Sequence, residues 1–85
     1  MNIQDTPEYK AHKHSIYNRE ELEKSRNIGC FYCMEIFHNP KKITEWCDGG
    51  QTALCPNCAI DSLIGDKSGY EITKTFLLGM NKIWF

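Results

Sequence analysis

Four of the five cysteines form two Cys-x-x-Cys pairs, Cys30 with Cys33 and Cys55 with Cys58, and 21 residues lie between the pairs. A Cys-x-x-Cys turn lets two sulfurs converge on one ion, so two such turns supply the four thiolates of a tetrahedral site. Four protein ligands close the coordination shell and leave no position for a substrate. The spacing therefore predicts one structural Zn²⁺ ion held by Cys30, Cys33, Cys55 and Cys58, with no catalytic residue.

The length of the chain makes such an ion important for folding. With 85 residues and a formal net charge of -1, the sequence is typical of one small soluble globular domain. A core of this size contributes only a few kcal/mol of net stability, whereas a structural metal site adds on the order of 10 kcal/mol of binding free energy. We therefore expect the metal to be part of the fold.

The cellular location is predicted from the termini and the cysteine count. The chain opens with polar and acidic residues, MNIQDTPEYK, and carries no apolar stretch typical of a signal peptide. No apolar run approaches the roughly 18 residues that a membrane span needs. An odd number of cysteines, four of them in ligand-type pairs, favours metal-bound thiolates over disulfides. We expect a cytoplasmic protein that does not contact membranes.

The N-terminal third is predicted to be helical. Thr6 followed by Pro7 indicates a helix start, and Asn18 with Glu21 has the spacing of a capping box for a second helix that runs to Arg26. Apolar residues are sparse here, so residues 1–27 are predicted to form a loosely packed helical arm beside a zinc-binding domain at residues 28–85. His12 and His14 in this arm are expected to be solvated.

Three elements are predicted around and after the second cysteine pair. Residues 42–47 and 51–54, joined by the turn residues Asp48-Gly49-Gly50, predict a β-hairpin that brings Cys55 near Cys33. Pro56 and the residues after it predict a helix over residues 59–64, which would place the last two ligands at a helix start. A final helix capped by Thr73 would carry an apolar stripe, formed by Phe76, Leu77, Met80, Ile83 and Trp84.

The predicted order of a Cys-x-x-Cys turn (a zinc knuckle), a β-hairpin and a ligand-bearing helix resembles the treble-clef zinc finger, a small α+β fold. Residues 28–85 also resemble a family of small uncharacterised bacterial cytoplasmic proteins. This second resemblance is carried by Trp46-Cys47-Asp48-Gly49-Gly50, Thr52-Ala53-Leu54-Cys55-Pro56, Ile60-Asp61-Ser62, Gly65-Asp66, Phe76-Leu77, Met80 and Trp84-Phe85. It implies a shared fold and zinc site and no particular activity.

An enzymatic alternative comes from HNH-type endonucleases, which build their active site on a treble clef. The cysteine pairs, His38, Pro40 and Gly49-Gly50 occur here in a similar order. However, Phe37 stands where that family has an acidic residue, and His38 alone cannot build the second, open metal site that nuclease chemistry needs. We therefore predict that the protein is not an enzyme.

Two alternatives concern the metal and its ligands. Four thiolates in Cys-x-x-Cys pairs also make rubredoxin-type iron centres, but those knuckles favour glycine after the second cysteine, where this chain has Met34 and Ala59. The helix predicted after Cys58 also argues for zinc. Cys47 and His38 are further candidate ligands, but four cysteines already suffice, so both are expected to lie outside the site.

The charge pattern bears on the partner. From Tyr9 to Arg26 there are five basic and three acidic residues, which is a modest footprint for nucleic-acid binding. A near-neutral chain with an aromatic C-terminus fits a protein partner more simply. We therefore predict a non-catalytic protein-interaction module held together by structural zinc, with a nucleic-acid-binding zinc finger as the alternative.

Overall fold

The computed structural model describes residues 2–85, in which short helices surround two small antiparallel sheets. The strands are β1 (Ile28–Cys30), β2 (Ile36–Phe37), β3 (Trp46–Cys47), β4 (Thr52–Ala53) and β5 (Leu63–Gly65). The α-helices are α1 (Pro7–Lys10), α2 (Arg19–Glu23) and α3 (Lys74–Trp84). Single 3-10 turns lie at Ile3–Asp5, Ala11–Ser15, Pro40–Lys42 and Asp66–Ser68. One sheet has the order β2-β1-β5, and the other is the hairpin of β3 and β4.

The central sheet separates two apolar clusters because alternate residues of a strand point to opposite faces. One face contributes Ile28 and Cys30 of β1 and Leu63 of β5 to a cluster that also holds the metal-site cysteines. The opposite face contributes Ile64 of β5 to a cluster formed with α3. Elements therefore cover the sheet on both sides, and the cysteines lie against one side only.

Two glycines allow helices to approach this sheet closely, one on each face. A Cβ atom at Gly29 would lie 2.7 Å from side-chain carbons of Ile72 and Leu77, on the face that α3 covers. A Cβ atom at Gly65 would overlap the side chains of Ser25 and Leu22, which lie at the end of α2. Larger residues at either position would push a helix off the sheet, because interiors have little free volume.

The N-terminal residues pack closely against the sheet and the hairpin. Ala11, Ser15 and Leu22 are buried, so the expected loose packing is not observed. Thr6 caps α1 through its hydroxyl, as predicted. The capping box predicted at Asn18 is wrong, because the Asn18 side chain makes no bond to α2.

Asn18 instead connects three elements. Its amide nitrogen donates to the carbonyl oxygens of His14 and Leu63, each at 3.0 Å, and its amide oxygen accepts from the Ala53 N–H at 3.1 Å. A buried side chain with all of these bonds made is favourable, whereas an unpaired one would be strongly destabilising. Asn18 therefore fastens the N-terminal residues to β4 and β5.

The predicted hairpin is confirmed. Trp46 pairs with Ala53 and Cys47 with Thr52, although the strands are shorter than predicted. The turn residues Asp48, Gly49 and Gly50 all have positive φ, as a tight hairpin turn requires.

The C-terminal helix is confirmed as well. The Thr73 side chain accepts from the Phe76 N–H at the start of α3, and Leu77 and Met80 are buried. Of the rest of the predicted stripe, Phe76 and Trp84 pack at the edge of the same cluster. Phe85, which follows the helix, is 59% exposed.

The helix predicted over residues 59–64 is wrong. Residues 63–65 form β5 and pair with β1, and the residues before them are irregular. A short apolar run such as Leu63-Ile64 fits a buried strand as well as a helix, and pairing with β1 decides between them. Ala59, with a φ of 65°, also cannot continue a right-handed helix. The ligand-bearing helix of the predicted treble clef is therefore missing.

Candidate metal centre

The first cysteine pair lies in a tight turn that we call the first knuckle, residues 30–34. The Met34 N–H donates to the Cys30 carbonyl oxygen at 2.9 Å, and the Cys30 N–H donates to the Glu35 carbonyl oxygen at 2.9 Å. The N–H groups of Tyr32 and Cys33 both point at Cys30 Sγ, at 3.4 Å. The turn thus closes on itself and directs backbone donors at a sulfur.

The second pair repeats this arrangement in a second knuckle, residues 55–59. The Ala59 N–H donates to the Cys55 carbonyl oxygen at 2.8 Å, and the Cys55 N–H donates to the Ile60 carbonyl oxygen at 2.9 Å. The Asn57 N–H points at Cys55 Sγ at 3.4 Å. Both knuckles therefore use the same two backbone hydrogen bonds. The carbonyl oxygen of the first cysteine accepts from the N–H four residues later, and its N–H donates to the carbonyl oxygen five residues later.

The two knuckles face each other and bring the four sulfurs together. Cys30 Sγ lies 3.6 Å from Cys58 Sγ, and Cys33 Sγ lies 3.7 Å from Cys55 Sγ. All four sulfurs lie within 4.8 Å of one another. Four sulfurs bonded at about 2.3 Å to one tetrahedral ion would lie about 3.8 Å apart. The four thiols fit one metal ion, and none of them is in a disulfide.

A buried hydroxyl supports the first knuckle from the side. Ser62 is fully buried, and its Oγ lies 2.9 Å from Cys30 Sγ. A thiolate can only accept hydrogen bonds, so in a metal-bound state the Ser62 hydroxyl donates to this sulfur. Together with the Tyr32 and Cys33 N–H groups, it offsets negative charge on a sulfur removed from water.

The environments of the thiols differ in their effect on ionisation. Burial raises the pKa of the Cys30 and Cys55 thiols above their ordinary value. Burial also acts to raise the pKa of Cys33, but hydrogen bonds from the Asn57 side chain and the Glu35 backbone outweigh it and lower that pKa to about 7. The buried thiols must therefore lose protons to a metal, whereas Cys33 is partly ionised at neutral pH without one.

The other candidate ligands lie elsewhere. Within residues 2–85, the four cysteines are the only group of cysteine, histidine or acidic side chains close enough to hold a metal ion. Cys47 is paired with Thr52 in the hairpin and is not part of this group. His38 is exposed, and its Nδ1 lies 2.8 Å from Asn27 Oδ1. The structure therefore brings neither Cys47 nor His38 into the group of four cysteines.

Neither of the two sequence arguments against iron is supported by the structure. The helix after Cys58 is not formed, and Met34 and Ala59 adopt φ values of 68° and 65° at the positions where rubredoxin-type knuckles favour glycine. The knuckle backbone therefore forms without glycine. The sulfur geometry alone does not distinguish zinc from iron, because four thiolates in a tetrahedron suit both.

Helix α3 braces the first knuckle from outside. The Asn81 amide nitrogen donates to the carbonyl oxygens of Phe31 and Tyr32, at 3.1 and 3.3 Å. The Phe85 ring packs edge-on against Tyr32, with ring centroids 4.8 Å apart. The C-terminal helix thus fixes the two residues between the first pair of ligands.

Several of these supporting residues carry no clear signal in the sequence. Ser62 and Asn81 bond to residues that lie far from them in the chain.

The two arm histidines are half-buried rather than solvated, since His12 stacks on Trp84 and His14 lies 3.0 Å from Glu21.

In comparisons with known protein families, curated proteins and solved structures, no match to the chain was found. None of the helices described in residues 2–85 combines the length and apolarity that a membrane crossing requires.

Proposed function

We propose that this protein is a non-catalytic, protein-binding module that folds around one structural Zn²⁺ ion. The observation that carries the proposal is the convergence of four thiols at tetrahedral spacing. Four protein ligands saturate a tetrahedral ion, so the centre can organise the chain but has no position for a reactant.

The location of the thiols supports a structural role. Cys30 and Cys55 are buried within the same apolar cluster as Leu22, Ile28 and Ile43. An ion held by these thiols links the first knuckle, which continues from β1, to the second knuckle, which follows the hairpin. In a chain of this size, the binding free energy of one structural metal ion contributes more to stability than most single apolar contacts.

Metal removal tests the structural role. Elemental analysis of the purified protein is expected to give one zinc per chain, and a chelator is expected to abolish the folded circular dichroism spectrum. A red protein as purified would show iron, and a protein that stays folded after complete metal removal would contradict a structural centre.

A matched pair of cysteine variants tests the ligand assignment. Cys55→Ser is expected to lose the metal and to unfold or aggregate, because a hydroxyl is a poor ligand and three thiolates leave the shell open. Cys47→Ser, outside the group of four, is expected to keep one metal ion per chain. Loss of metal from the Cys47 variant would overturn the ligand set.

The protein-binding part of the proposal is supported by an exposed apolar surface beside the first knuckle. Tyr32, Leu78 and Phe85 are 45%, 45% and 59% exposed. Tyr32 contacts Phe85, and Leu78 lies two helical turns before Phe85 on the same side of α3. We call these three residues the knuckle patch. With free thiols and a closed metal shell, the module fits the reducing cytoplasm.

Partner capture from lysate at rising salt distinguishes protein from nucleic acid. Apolar docking on the knuckle patch is expected to be almost insensitive to salt, whereas nucleic-acid binding weakens steeply. The partner should be lost with Tyr32→Ser/Phe85→Ser and kept with Ile3→Ser/Tyr17→Ser, which alters two exposed apolar residues elsewhere. A nuclease-sensitive, salt-sensitive partner would favour the nucleic-acid alternative.

A further inference from the structure

A cleft lined by residues outside both knuckles is not used by the proposed function. It encloses about 530 Å³ between the N-terminal residues and the C-terminal helix. Aromatic side chains of Tyr9, Tyr70 and Trp84 line it, together with Lys10, His12 and Lys13. We call it the aromatic cleft. Its volume is within the range of about 300–1,000 Å³ that small-molecule sites occupy.

Lys10 and Lys13 give the aromatic cleft a positive charge. Neither Lys10 nor Lys13 forms an ion pair within residues 2–85, and no acidic side chain lines the cleft among those residues. Two lysines beside the same cavity raise the local concentration of anions and repel cations. The ligand that complements this cleft is therefore an anion.

A second groove in the same molecule also contains a cationic side chain, but there the cation has partners within the protein. It encloses about 340 Å³ and is lined by Arg19, Glu23, Lys41 and Trp46, among others. There the Arg19 guanidinium donates to the Gly50 carbonyl oxygen at 2.8 Å, lies 3.5 Å from the Glu23 carboxylate and sits over the Trp46 ring. Its main cation already has partners within the protein, unlike the lysines of the aromatic cleft.

The apolar wall of the aromatic cleft is held in place by contacts inside the protein. The Trp84 ring stacks with His12 at 3.8 Å and with Tyr9 at 5.0 Å between ring centroids. Its indole N–H points at the Glu8 carbonyl oxygen at 3.4 Å. A wall fixed in this way needs little reordering to receive a ligand, which favours binding. Aromatic walls select planar, polarisable groups.

We propose that the aromatic cleft binds a nucleotide, with the base against the aromatic wall and the phosphate at Lys10 and Lys13. A nucleotide joins a planar aromatic group to an anion, and a lysine is a good phosphate partner as a point charge. The unit bound is either a free nucleotide or one base and phosphate of a single strand. This inference goes beyond the proposed function and requires only the folded, metal-loaded protein.

Titration with adenosine monophosphate tests it, with the two indole N–H signals of a ¹⁵N-labelled sample as reporters. The Trp84 signal is expected to shift and saturate, while the Trp46 signal, in the second groove, stays in place. Adenosine without phosphate is expected to bind at least about ten-fold more weakly, the loss expected for charged contacts. No saturable change at Trp84 with either adenosine or uridine monophosphate would overturn the proposal.

Matched charge-reversal variants test the role of the lysines. Lys10→Glu/Lys13→Glu is expected to weaken binding of adenosine monophosphate by at least about ten-fold, whereas Lys41→Glu/Lys42→Glu, at an exposed site outside the cleft, should change it by less than about three-fold. Unchanged metal content verifies the fold of each variant. Equal weakening by both pairs would mean general electrostatic attraction and would contradict a specific cleft.

A short oligonucleotide distinguishes the two sources of the ligand. A single strand of five adenylates that binds much more tightly than the monophosphate, with a steep salt dependence, identifies a strand as the ligand. Equal affinity per nucleotide identifies a free nucleotide. In both cases the Trp84 signal must respond, because the same base and phosphate occupy the cleft.

Discussion

The first knuckle, residues 30–34, is more deeply buried than the second knuckle, residues 55–59. The residue after the first cysteine is the buried Phe31 in one and the exposed Pro56 in the other. The residue after the second cysteine is the half-buried Met34 in one and the exposed Ala59 in the other. Their backbone hydrogen bonds are nevertheless the same.

The comparison shows which interactions hold each knuckle in shape. The first is flanked by β1 and β2, receives the Ser62 hydroxyl at one sulfur and is braced by Asn81 of α3. The second follows the hairpin and precedes β5, and most of its turn faces solvent. We infer that packing organises the first knuckle, while the second depends mainly on the shared metal ion.

The pH dependence of metal affinity gives the largest expected effect. Burial raises the pKa of one thiol in each knuckle, Cys30 and Cys55, above the ordinary 9.0, so both hold protons in the metal-free protein at neutral pH. Metal must displace both protons. Affinity is therefore expected to rise by at least about two orders of magnitude per pH unit between about pH 7 and 9.

Below neutral pH the dependence should steepen. Cys33, with a pKa of about 7, then also carries a proton that the metal must displace. Metal-linked stability is thus present at high pH and is lost as the pH falls. Competition with a chelator of known affinity, repeated across this range, measures the slope. A slope near one between pH 7 and 9 would show that one knuckle is already ionised without metal.

Two side-chain donors, one buried and one exposed, act on sulfurs of the first knuckle, and removing them should have unequal effects. Ser62→Ala deletes a buried donor to Cys30 and is expected to weaken metal binding by about 10–100-fold. Asn57→Ala deletes the side-chain bond to Cys33 from an exposed position, where water can replace it, so a smaller loss is expected.

Chelator competition at one pH compares these two variants directly. Ser62→Thr serves as a control that keeps the hydroxyl, and its metal affinity should lie closer to wild type if its added methyl group is tolerated. Equal losses from Ser62→Ala and Asn57→Ala would show that the burial of a donor does not determine its effect on metal binding.

The parts of the fold that sequence predicted well depend on signals close together in the chain. The caps at Thr6 and Thr73 and the turn at Asp48-Gly49-Gly50 each act within a few residues, and all are confirmed. The error over residues 59–64 has the opposite origin. Pairing of β5 with β1, more than 30 residues earlier, overrides any local helical preference.

The candidate site likewise contains residues that local spacing predicts and residues that it does not predict. The spacing of the four cysteines predicts their convergence, because each pair acts within one turn. Ser62 and Asn81 could not be predicted, since their partners in the first knuckle are brought near only by the completed fold. The expectation that a knuckle needs glycine after its second cysteine failed for a different reason. Here the surrounding hydrogen bonds hold Met34 and Ala59 at positive φ.

Glycine at those two positions should have small effects of opposite sign. An L-residue in the left-handed region is strained by about 1 kcal/mol, and glycine relieves this strain. Ala59 is exposed and loses only a methyl group, so Ala59→Gly is expected to stabilise the metal-bound protein by about 0.5–1 kcal/mol. Met34 packs against the apolar cluster that α3 covers.

For Met34→Gly, the lost packing is expected to exceed the relieved strain and to give a net destabilisation of about 1 kcal/mol. Urea unfolding of both variants with saturating metal measures the difference. Stabilisation by both substitutions would mean that Met34 adds little packing, and that the first knuckle depends on the metal as much as the second does.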